Sequence, residues 1–88
     1  MQIDDIIEAL SEKATKLLLD RRVSPKLKED FITKLTEIEE RAKKLQRFST
    51  LNQDNLKKAI KLRILVDFIS QAEKEIAKRK PRKIVGIL

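Results

Sequence analysis

The chain has no cysteine and no histidine. Without cysteine it can form neither a disulfide framework nor a thiolate metal site. Without histidine it lacks the commonest metal ligand and the usual general base near neutral pH. Tryptophan and tyrosine are absent as well, and Phe31, Phe48 and Phe68 are the only aromatics, which leaves few platforms for stacking single-stranded nucleic acid. The single glycine, Gly86, excludes a glycine-rich phosphate loop. Ser11, Ser24, Ser49 and Ser70 have no imidazole to activate them. Glu37 with Glu40, and Glu73 with Glu75, are paired carboxylates at helical spacing, but carboxylate di-metal bundles also require histidine. The sequence therefore predicts no catalytic residue, no metal and no cofactor. No apolar run approaches the ~18 residues of a membrane span, and the start, Met-Gln-Ile-Asp-Asp-Ile, lacks the basic and apolar parts of a signal peptide. A soluble, cytoplasmic, non-enzymatic protein is expected.

What the chain does contain is charge and aliphatic carbon. Its 88 residues suffice for one domain with a modest core. Hydrophobic residues make up 41%, which argues against disorder even though 40% are charged. The net charge of +7 is uneven. Residues 1–20 hold two basic and five acidic groups, residues 21–48 nine and five, and residues 49–88 ten and four. The basic excess in the later segments favours an acidic or nucleic-acid neighbour, against the plainer alternative of a solvated charged surface. Abundant Lys, Glu and Ile with one Gly also suit a thermophilic source.

Apolar periodicity predicts an all-α domain, a three-helix up-down-up bundle over residues 1–80 with a short extended tail over 81–88. The first helix, over 3–22, carries Ile3, Ile7, Leu10, Ala14 and Leu17 at alternating spacings of four and three. Ser24 is a good N-cap and Pro25 suits the first helical position, opening a second helix over 25–48. Its stripe is Leu27, Phe31, Leu35, Ile38, Ala42 and Leu45, ending in Phe48. Glu37–Arg41, Glu39–Lys43 and Glu40–Lys44 are spaced to pair along it. The break at 49–55 offers Asn52 as the next N-cap, with Thr50 and Gln53 as a competing capping box. The third helix, over 53–79, stops before Pro81.

That last helix shows apolar residues on two sides. Leu62, Leu65, Ile69, Ala72 and Ile76 form one stripe, and Leu56, Ala59, Ile60, Ile64 and Val66 lie roughly opposite. A surface helix of a small protein normally needs one stripe, so a surplus is expected to face a partner. The candidate protein interface is Leu62, Leu65, Val66, Phe68 and Ile69, with Ile84, Val85, Ile87 and Leu88 of the tail. The tail has three readings: docking on a partner as an added strand, folding back over the bundle, or disorder. The candidate phosphate-facing cations are Lys57, Lys58 and Lys61, with Lys78, Arg79, Lys80, Arg82 and Lys83. Arg63 is spaced to pair with Asp67 and is a poorer candidate. The Val23-Ser24-Pro25 break suits a helix-turn-helix, but the helix that follows lacks a clear polar reading face.

With Leu56–Ala77 as its packing helix and Lys78–Leu88 as a basic then apolar tail, the chain resembles the small helical accessory (binding) subunits of archaeal B-family DNA polymerase holoenzymes. The resemblance lies in whole-chain character and carries no functional motif. It implies a non-catalytic subunit that docks on the polymerase, stabilises it and supplies positive charge near DNA. The expectation is thus an accessory subunit of a DNA-replication complex, bound to a larger protein and touching DNA through non-specific phosphate contacts. The alternative is an autonomous, dimeric DNA-binding regulatory protein; a self-associating bundle without nucleic acid is a third.

Overall fold

The computed structural model describes residues 2–48 and 50–79, with only the backbone of Arg79. Among these residues the chain is all-helical, with four helices and no strand: α1 (Ile3–Leu18), α2 (Pro25–Thr36), α3 (Ile38–Gln46) and α4 (Gln53–Arg79). The expected tail over 81–88 lies outside the described residues.

The first helix ends at Leu18 rather than at 22 because a local turn competes with it. The Asp20 carboxylate accepts from the Arg22 backbone N–H at 2.8 Å and from its guanidinium at 3.1 and 2.9 Å. Aspartate favours such side-chain-to-backbone bonds over continued helix. The Arg22 bonds hold the Asp20 carboxyl down to about 2 from its ordinary 3.8. Val23 then turns into the core, 1% exposed. Ser24 caps α2 as the sequence predicts, its Oγ accepting from the Leu27 N–H at 3.3 Å, with Pro25 in the first turn.

The single helix expected over 25–48 is broken at Glu37, whose φ of −93° and ψ of 3° leave the helical region. The surrounding Ile32, Thr33, Thr36 and Ile38 are β-branched and stiff in a helix. The Thr36 hydroxyl also donates to the Thr33 carbonyl at 2.8 Å, the kind of back-bonding that bends helices. Asn52 rather than Thr50 caps α4, accepting from the Asn55 N–H at 2.8 Å.

Every substantial helix–helix contact except that of α2 with α3 involves α4. Asp4 with Lys58 (3.1 Å) and Lys13 with Glu73 (2.9 Å) set α1 running in the same direction as α4. Ser24 with Glu75, Phe31 with Phe68 and Glu39 with Lys57 set α2 and α3 running against it. The main core joins Ile7, Ala14 and Leu17 of α1, Val23, Phe31 of α2, and Ile64, Leu65, Phe68, Ile69 and Ala72 of α4. Phe31 and Phe68 stack with ring centroids 4.2 Å apart and planes 16° from parallel. Ala42 and Ala72 are fully buried, which lets backbones approach closely.

This arrangement corrects the expectation of an uncovered α4. Leu65, Ile69 and Ala72 from one predicted stripe are buried, and so are Leu56 and Ile64 from the other. With α1 on one flank and α2 and α3 on the other, a wide arc of α4 is enclosed by the chain itself. Only Ala59 and Val66 of the predicted apolar positions face solvent.

Candidate functional site: a cation-rimmed groove between α3 and α4

The expected protein interface on α4 does not present itself as a surface. Leu65, Phe68 and Ile69 are buried in the core, and Leu62 is half-buried against it. Val66 alone is exposed, at 48%. A lone exposed aliphatic residue does not make a patch. Ile84, Val85, Ile87 and Leu88 fall outside the described residues, as do Lys80, Arg82 and Lys83.

The expected phosphate-facing lysines are also partly committed. Lys57 pairs with Glu39 of α3 at 3.6 Å, and Lys58 pairs with Asp4 of α1 at 3.1 Å. Lys61 is half-buried beside Ser11, Thr15 and Leu65, in the gap between α1 and α2. Lys78 is exposed near the end of α4. Along α3, Glu37 and Arg41 pair as predicted at 3.6 Å, and Arg63 meets Asp67 at 3.9 Å on α4. Glu39 reaches across to α4 instead of pairing with Lys43, and among the described residues no ion pair joins Glu40 to Lys44.

The structure gathers a different constellation where α2 and α3 flank α4. Lys34, Arg41, Lys44 and Leu45 on one wall, and Ile60, Arg63 and Asp67 on the other, line an open groove of about 390 Å³. Four lining residues are cationic and one is anionic. Lys34 is paired with Asp30 at 3.0 Å, while Lys44 has no ion pair among the described residues. Glu37 and Glu40 stand with Arg41 and Lys44 around an adjoining depression, so the positive rim is flanked by acid on its outer side. These pairs are solvent-facing, worth about 0–1 kcal/mol each, and exchange readily for other carboxylates or phosphates.

Leu45 and Ile60 are the apolar residues that line the groove, and Phe48 follows just past the end of α3. Ile60 is half-buried, Leu45 is 45% exposed and Phe48 is 86% exposed. Phe48 lies past the end of α3, its N–H still donating to the Leu45 carbonyl at 2.9 Å. The Gln46 side chain ties this corner to the start of α4 by donating to the Leu51 carbonyl at 2.7 Å. The predicted stripe Leu27–Phe48 is thus core only as far as Ala42. Its last members emerge because α3 ends beside the first turns of α4, where none of the described helices covers them. The clue in the sequence was the terminal position of Leu45 and Phe48, followed at once by polar residues.

Compared with known proteins, the chain matches no family model, no curated protein and no solved structure. Among the described residues no group of acidic side chains is placed to hold a metal ion, and no helix is long and apolar enough to cross a membrane.

Proposed function

We propose that the chain is a non-enzymatic accessory or adaptor subunit. It docks on a larger protein of a nucleic-acid-processing complex, of the DNA-replication kind, stabilises that protein and adds positive charge near DNA. The observation that carries this is the cation-rimmed groove of α3 and α4, with the exposed Phe48 just past the end of α3. A large aromatic left 86% exposed is costly in water, and exposed aromatics are enriched at association surfaces. The net charge of +7 supports the nucleic-acid side of the proposal. An autonomous DNA-binding dimer would use the same cations, and it is separated from the adaptor by stoichiometry and by the tightness of DNA binding.

The test is recovery of the tagged chain from its native source together with the proteins bound to it. A nucleic-acid enzyme is expected to co-purify with the wild type, to be lost with Phe48→Glu, and to be retained with Ile32→Glu on an unrelated exposed site. In parallel, the isolated chain is expected to bind duplex DNA weakly and with a steep salt dependence. Tight DNA binding by a dimer, with no protein recovered, would replace the adaptor by the autonomous regulator.

A further inference from the structure

We infer that the α3–α4 groove takes an acidic, amphipathic helix of the partner protein. This rests on the adaptor function proposed above and specifies the chemistry of its docking segment.

The shape points to a helix. Lys34, Arg41 and Lys44 rise on one wall, and Ile60, Arg63 and Asp67 recur at spacings of three and four on the other. Two such ridges with a trough between them are the surface into which a third helix packs. Among the described residues there is no sheet edge to which an extended strand could add. The floor decides against a phosphate backbone as the primary occupant. Leu45 and Ile60 offer nothing to a phosphate, whereas the apolar stripe of a helix would cover them.

The charges fix the sign of the partner's flanks. An apolar stripe seated over Leu45 and Ile60 places its neighbouring residues against Lys34, Arg41 and Lys44 on one side and Arg63 on the other. Carboxylates there would replace the weak pairs with Glu37, Asp30 and Asp67 and give unpaired Lys44 a partner. A basic or neutral helix would leave those cations crowded or dry. Charge complementarity therefore selects against it as well as for the acidic one.

A displayed library of random helical peptides, roughly 16 residues long to span the groove, tests this without knowledge of the partner. Selection is on the folded full chain, and the probes carried forward are the enriched peptides themselves. Enriched sequences are expected to carry Asp and Glu on both flanks of an apolar stripe. Their affinity is expected to fall about tenfold or more on the doubly substituted Arg41→Glu/Lys44→Glu chain, which keeps its helical circular dichroism. Peptides with those acids changed to Lys should regain binding to that variant, an outcome that mere structural damage would not produce. The inference is overturned if no peptide enriches, if enriched peptides show no acidic bias, or if the double substitution leaves their affinity unchanged. It is also overturned if a 20-base-pair duplex, used as competitor, occupies the groove in preference to every selected peptide. In that last case the charge-near-DNA part of the proposed function would survive. Acidic peptides that bind as expected while no nucleic-acid enzyme co-purifies would instead leave the groove chemistry standing and remove the adaptor function.

Discussion

Replacing Phe68 with alanine strips the centre of the core, and its cost can be worked from the structure. Phe68 is 3% exposed and stacks on the equally buried Phe31 at 4.2 Å. Truncating a buried phenylalanine costs about 3–5 kcal/mol through lost transfer energy and the cavity left behind. A chain of 88 residues has roughly 4–13 kcal/mol in total at typical stability per residue. Phe68→Ala therefore removes about a quarter of the stability or more. At a urea slope of about 1.5 kcal/mol/M, the unfolding midpoint falls by roughly 2–3 M. Far-UV circular dichroism is the assay, since the chain has neither tryptophan nor tyrosine to report by fluorescence. Phe48→Ala is the control: at 86% exposure its midpoint is expected to move by no more than ~0.5 kcal/mol equivalent. If Phe68→Ala cost less than about 1 kcal/mol, or Phe48→Ala cost as much, the enclosure of α4 by its own chain would be refuted.

Three further outcomes follow from local geometry. Asp20 is held at about 2 by Arg22, below its ordinary 3.8, so its stabilising contribution is present above pH 4 and lost as pH falls toward 2. Wild type should therefore exceed Asp20→Asn in stability at pH 7, with the gap in urea unfolding closing between pH 4 and 2; a gap that widens on acidification contradicts this. Glu75 accepts from the Ser24 N–H at 2.8 Å and from its hydroxyl at 3.1 Å, locking the start of α2 to the far end of α4. Glu75→Gln should cost about 1–2 kcal/mol, and combined with Ser24→Ala the two losses should fall short of their sum, as a thermal-unfolding double-mutant cycle would show. Ala72 is fully buried where helices meet, so Ala72→Leu should overpack the core and lower stability by about 1–3 kcal/mol in the same assay.

The helices themselves were legible in the residues. Ile7, Ala14 and Leu17 on α1, Phe31 and Ala42 on α2 and α3, and the Ser24 and Asn52 caps all lie where spacing and side-chain chemistry put them. The end of α1 was misjudged because Arg21 and Arg22 resemble a basic last turn, whereas the Asp20–Arg22 bonds close a separate turn. The bend at Glu37 was missed because the stripe from Leu27 to Phe48 keeps its period through it. Its signal lay in the β-branched residues around Thr33 and Thr36, which periodicity ignores. The larger error concerned coverage. A sequence shows which residues of α4 are apolar, but not that α1 and α2 spread apart far enough to enclose both sides of it. The candidate site suffered from the same gap. Lys57 and Lys58 are basic in any reading, but their pairing with Glu39 and Asp4 depends on helices brought together only by folding. Arg41, Lys44 and Arg63, assigned on spacing to pairs along their own helices, become the rim of a groove once α3 lies against α4.

That α4 finds its cover within one chain is tested most directly by urea unfolding at protein concentrations spread over about a hundredfold, with sedimentation at each. A folded monomer with a midpoint independent of concentration is the predicted result. A midpoint that climbs with concentration, accompanied by a dimer, would mean that α4 borrows its cover from a second chain.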